Sequence, residues 1–140
     1  MYGHHPAYFA AGKGENPLVV RELMPILKGR ADVYIAGHYH SLEHLKPVDG
    51  VNLFISAGGG RPLYPVDPTL PGVLWAVDEF GFAVIEVEQK QLKVSFIGTD
   101  GKELHSAMIE KRDGPTCSGG EGCGSVYGNV PQMRLKTGGE

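Results

Sequence analysis

The sequence predicts an α/β (α+β) fold in which strand far outweighs helix. A single segment, 16–30, repeats its apolar residues at helical spacing. Two short apolar runs, 31–37 and 51–58, are the right length for buried strands. Three strand-like segments then follow one another over 82–88, 91–99 and 103–111.

Each element has a local reason. In "NPLVVRELMPILKGR", Asn16 is placed to cap a helix and Pro17 suits its first turn. Val19, Val20, Leu23, Ile26 and Leu27 form the apolar stripe, Pro25 should bend the helix and Gly29 should end it. "ADVYIAG" reads as a buried strand feeding a loop that contains His38 and His40, and "VNLFISAG" as another strand. The segment 59–81 is rich in Pro and Gly and reads as a long surface loop able to shape a site. "TDGK" supplies the turn between the last two strands.

Composition bounds the function classes. At 140 residues the chain is long enough for one core, and 41% hydrophobic against 21% charged residues is ordinary for soluble globular protein. A net charge of −3 gives no basic excess for nucleic acid. No apolar run is long enough to span a bilayer, so no membrane partner is expected. The first residues lack the basic-then-apolar layout of a signal peptide. The chain divides into a domain over 1–112 and a Gly-rich tail over 113–140, expected to be flexible or to order against a partner. Cys117 and Cys123 lie in that tail, where a small disulfide loop and free thiols are both open and neither has an assigned role.

The histidines carry the chemistry. Three of six fall in "IAGHYHSLEHL" (35–45) and two in "YGHHP" (2–6). Imidazole ligates zinc, iron and manganese. Side chains two apart in extended chain point the same way, so His38 and His40 can face one cavity, on one metal or on two neighbouring ones. Gly37 would allow a tight turn after the strand. A lone His-x-His is weak evidence, but a strand-end Gly-His-x-His with an upstream Gly-His-His-Pro is stronger. His4, His38 and His40 are the expected ligands. Adjacent side chains seldom aim at one point, so His5 is expected to line the pocket. His44 and His105 read as surface histidines on strands.

Taken in order, "GHHPAYF", "LMPILK", "DVYIAGHYHSLEHL", "FISAGGG" and "FGFAVIEVEQKQLKVSFIGTDGKELHSAMIEKR" resemble the C-terminal half of purple acid phosphatases. These are calcineurin-like metallophosphoesterases, and the resemblance covers most of residues 3–112. It implies two packed sheets flanked by helices, here the β-rich half of that sandwich, truncated at the N-terminus. It implies two metal ions (Fe, Zn or Mn) in a complete site, with His4 and His38 on the divalent one and His40 on its neighbour. Metal-activated water would then hydrolyse a small phosphate ester. His5 and Lys13 are candidates for catalysis and substrate contact. Lys13 stands where mammalian members have a histidine, and Arg61 could also reach an anionic group.

The family's Asp-x-His, Gly-Asp and Gly-Asn-His motifs are not present in these 140 residues. Tyr39 stands where the family commonly has Asp. Half of a two-sheet sandwich would leave an apolar sheet face bare, which favours association. Three readings follow: a small phosphoesterase completed by a carboxylate (Glu15 or Glu43) or by a second copy; a subunit completed by a partner chain carrying the missing half; or a non-catalytic binding module. The first is the one adopted, with a homo-oligomer or partner chain expected.

Overall fold

The computed structural model describes residues 1–11 and 14–111. Lys13, Cys117, Cys123 and the tail over 113–140 therefore lie outside the described residues. The chain opens with three two-residue strands, β1 (Tyr2–Gly3), β2 (Tyr8–Phe9) and β3 (Gly14–Glu15). A helical segment follows, and then β4 (Val33–Ala36), β5 (Leu42–Val48), β6 (Val51–Ser56), β7 (Val73–Val77), β8 (Gly81–Val87), β9 (Gln91–Gly98) and β10 (Glu103–Glu110).

The helical segment begins as expected, with the Asn16 Oδ1 accepting the N–H groups of Leu18 at 3.1 Å and Val19 at 3.3 Å. Its interior differs from a plain helix. Residues Val19–Leu23 form a π-helical turn, closed by the Met24 N–H on the Val19 carbonyl, before a short α1 (Met24–Leu27). Pro25 has no N–H to give to an α-helical ladder, and the wide turn lies directly before it. The extra residue in the turn shifts the apolar stripe by one position. Met24 and Leu27 are the buried residues, while Ile26, expected on the stripe, is 56% exposed. Gly29 ends the segment with φ +70°, where a Cβ would be strained.

Two sheets pack face to face. One has five strands in the order β1-β4-β6-β5-β7, parallel at β1, β4 and β6 and antiparallel from β5 onward. The other is an antiparallel meander in the order β10-β9-β8. Alternation along each strand splits the core in two. Val33, Leu42, Phe54, Val94, Phe96 and Ile109 fill the space between the sheets. Met24, Leu27, Tyr34, Leu45, Val51 and Leu53 join the helix to the opposite face of the five-stranded sheet. The mixed α/β, strand-dominated class is the one the sequence predicts.

Two strands go beyond the sequence reading. β7 lies inside 59–81, read there as loop; its five residues are hidden by the Pro and Gly that flank them. β5, the strand expected to carry His44 at the surface, is instead a buried central strand whose Glu43 and His44 break its apolar run. The meander ends at β8, whose outer edge is bonded at its start, from the Gly81 N–H to the Gly58 carbonyl and from the Ala83 N–H to the Ser56 hydroxyl, both at 3.0 Å. Phe82, 55% exposed, and Val84 are exposed on one face of that strand, and Val87 is 65% exposed on the other.

Candidate metal centre

The first histidine pair is carried by the chain leaving β1, the second by the chain leaving β4. These strands are parallel neighbours, so both sites of departure lie at the same sheet end. The Gly37 N–H donates to the His4 carbonyl at 3.0 Å, which extends the pairing to the histidines themselves. The Tyr34 hydroxyl donates to the His5 carbonyl at 2.7 Å and fixes the following peptide. Gly37 is not the strained residue of this turn. His38 is, with φ +71°, in the left-handed region that non-glycine residues seldom occupy.

Among the described residues, His4, His5 and His38 bring one ring nitrogen each within 4.8 Å of one another. The His38 Nδ1 and His4 Nε2 are 3.2 Å apart. Two imidazoles on a tetrahedral ion with bonds of about 2.0–2.1 Å would place their nitrogens about 3.3 Å apart. The donor set fits a borderline metal ion. It consists of imidazoles, exposed at the surface and therefore open to a metal and to substrate. His38 is pushed below the ordinary histidine pKa, first by partial desolvation and then by His5, His4 and His40, which favours the neutral ligand form.

His5 is thus inside the cluster, its ring centroid 4.7 Å from that of His4 and 4.3 Å from that of His38. The expectation that neighbouring side chains diverge fails here because the chain turns immediately after β1. His40 stands apart from the three. Its Nδ1 lies 3.0 Å from the Pro62 carbonyl and its ring stacks on Tyr64 at 5.1 Å. An Nδ1–H donated to that carbonyl leaves Nε2 as the free lone pair, the usual arrangement for a ligating histidine. Tyr39, between His38 and His40, stacks on Phe9 at 3.6 Å.

The other candidates fall elsewhere. Arg61 is exposed on the loop just before Pro62. Glu15 lines an apolar cavity of about 780 Å³ with Tyr8, Phe9 and Leu70, and it is not in the histidine cluster. Glu43, considered as a ligand, is fully buried, with its oxygens 2.7 Å from the Ala10 N–H and from the Ser41 hydroxyl. No carboxylate joins the cluster among the described residues.

His44 and His105 are not surface residues. His44 is 8% exposed, stacked on Phe54 at 4.4 Å, and its Nδ1 meets the His105 Nε2 at 3.0 Å across the two sheets. His105 lies flat on Trp75 at 4.7 Å. Desolvation, followed by the neighbouring His105, lowers the His44 pKa to about 4. Period-2 alternation of "LEHL" puts His44 on the same face as Leu42, and that was the signal available in the sequence.

This fold is the β-rich part of a calcineurin-like metallophosphoesterase sandwich, with its histidines at the strand ends. Sequence likeness narrows it to a partial purple acid phosphatase-like domain. Purple acid phosphatase 3 of Arabidopsis thaliana is 32% identical over 112 residues, covering 75% of this chain and 30% of that protein. Tartrate-resistant acid phosphatase type 5 of Sus scrofa is 28% identical over 120 residues, covering 79% and 35%. The chain therefore spans about a third of the length of these curated relatives. A solved structure described as GAP50, the anchor in the inner membrane complex of Plasmodium, shares the fold with a TM-score of 0.73 at 20% identity, over 81% of this chain and 36% of that one. No family model matches the chain. No helix among the described residues is long and apolar enough to cross a membrane.

Proposed function

We propose that the chain supplies the histidine side of a metal-dependent phosphoesterase site, acting on small phosphate esters. The 3.2 Å approach of His38 Nδ1 to His4 Nε2, with His5 in reach, is the observation that carries this reading. His4, His5 and His38 would hold one ion, and His40 Nε2 is the ligand atom offered to a second. Metal ions held there (Fe, Zn or Mn) would neutralise phosphate charge and acidify a bound water. Arg61 is the anion contact from the neighbouring loop, and Lys13 is its counterpart outside the described residues.

A partner-completed site is favoured over a self-sufficient one by the all-imidazole cluster. Three histidines and no carboxylate make an incomplete set for a bridged pair of metals. The exposed apolar side chains of β8 give a second copy or a companion chain a surface to join. Elemental analysis of protein purified with its native metal tests the reading, alongside hydrolysis of a chromogenic phosphate ester by the parent, His38→Ala and His40→Ala. Stoichiometric metal lost in the variants supports it. A folded parent without metal or activity, alone and with the companion half of a related phosphatase added, refutes it.

A further inference from the structure

Glu43 is a carboxylate with no exposure to solvent, placed on the strand that follows the second histidine pair. It belongs to the β5 face that looks toward Leu45 and the N-terminal segment, opposite to His44. One oxygen accepts the Ala10 N–H at 2.7 Å, a contact spanning 33 residues. The other accepts the hydroxyl of Ser41, itself fully buried, at 2.7 Å. The Ala11 N–H adds to the same set of donors.

Those donors sit on the two segments that carry the candidate ligands. Ala10 and Ala11 end the stretch that begins with His4 and His5. Ser41 directly follows His40. At their other ends the two stretches are already joined by the bond from Gly37 to the His4 carbonyl. We infer that Glu43 is the positioning residue of the metal centre, closing the frame that holds His4 and His5 against His38. This inference rests on the proposed metal-binding role of those histidines.

The chemistry of the site asks for a carboxylate. The backbone N–H groups of Ala10 and Ala11 can only donate, and a carboxylate accepts at both oxygens, leaving one for these and one for the Ser41 hydroxyl. Glutamine offers those N–H groups a single, uncharged amide oxygen, which weakens the bonds that tie the two segments together. Burial raises the Glu43 pKa above the usual carboxylate range, and the hydrogen bonds from Ser41, Ala10 and Ala11 offset part of that rise.

The test compares the parent with Glu43→Gln, Ser41→Ala and a destabilised control, Val94→Ala, which opens the core between the sheets on the face of β5 opposite to Glu43. In metal-free protein, amide exchange of Ala10 and Ala11 and the ring-to-ring NMR contact of His4 with His38 are measured. Cobalt(II) titration then reads affinity through its absorption spectrum. Expected for Glu43→Gln are at least tenfold faster exchange at both alanines, loss of the ring contact and a roughly 10–100-fold weaker cobalt affinity. Ser41→Ala should show the same changes at smaller size, and it decides the matter should Glu43→Gln not fold. Val94→Ala should melt earlier and bind cobalt like the parent. Unchanged ring contact in Glu43→Gln, or an equal loss of affinity in Val94→Ala, overturns the inference. A parent that binds no cobalt refutes the metal reading alone, because the metal-free NMR measurements still decide the role of Glu43.

Discussion

Five of the six histidines form two groups of opposite character. His4, His5 and His38 are exposed, close together and held by backbone bonds at a sheet end. His44 and His105 are drawn between the sheets, where Phe54 and Trp75 stack on them and each is the other's polar partner. Imidazole serves the first group as a ligand and the second as a flat apolar body with one satisfied polar tip. The difference teaches that a histidine's role follows from what surrounds its nitrogens. In both groups ring nitrogens meet, but in the cluster they do so at the solvent-exposed surface with a third ring in reach, and in the core they are enclosed by aromatic rings.

The largest expected effect comes from emptying the core pair. His44→Ala removes a buried ring, its stack on Phe54 and the partner of His105, and should destabilise the fold by about 3 kcal/mol in a denaturant titration. Cobalt affinity at the exposed cluster should change little once the protein is folded. A His44→Ala protein as stable as the parent would erase the distinction between the groups. The reciprocal change is His38→Ala. It should weaken cobalt binding by at least about 10–100-fold, the range found even for groups that only support ligands, while leaving the denaturation midpoint within about 0.5 kcal/mol of the parent.

Acid should also separate the two groups. The unfolded chain protonates His44 near the usual 6.5, and the folded chain only near about 4. Stability is therefore fully present above 6.5 and declines as pH falls from there toward 4, because the unfolded state takes up a proton that the folded state refuses. The loss is on the order of 2 kcal/mol after allowance for the partial exposure of His105. His44→Phe should flatten the melting temperature across this window, measured by calorimetry against the parent. A slope that survives the substitution would assign the acid sensitivity elsewhere.

How much of this was legible in the sequence follows the same division. Asn16, Pro17 and Gly29 act locally, so the ends of the helical segment could be read directly. The meander strands have regular alternation and a Gly101 turn with φ +80°, and they were legible to within a residue or two. The Gly-His-His-Pro and Gly-His-Tyr-His motifs were visible as pairs. Their regrouping into His4, His5 and His38, with His40 turned to the Pro62 carbonyl, was not, because a backbone carbonyl leaves no mark on composition. Glu43 and His44 concealed the burial of β5 for a related reason: polar residues look solvent-facing until their distant partners, Ala10 and His105, are known.

The smallest effect is the most discriminating. His38 holds φ +71°, a conformation in which a β-carbon crowds the backbone, at the centre of a tight turn closed by the Tyr39 N–H on the Gly37 carbonyl at 2.9 Å, and its exposed ring contacts other rings. Strain of this kind, about 1 kcal/mol, persists where the surrounding structure needs the side chain aimed in one direction. His38→Gly removes the crowding and the ligand together. Glycine also gains freedom in the unfolded chain, which offsets part of the benefit. The expected balance is a protein more stable than the parent by about 0.5–1 kcal/mol in denaturant, yet impaired in cobalt binding as severely as His38→Ala. Stability gained with binding lost would mark His38 as held for chemistry. A His38→Gly protein less stable than His38→Ala would mean that the turn is relaxed as it stands, and the strain argument for this site would fall.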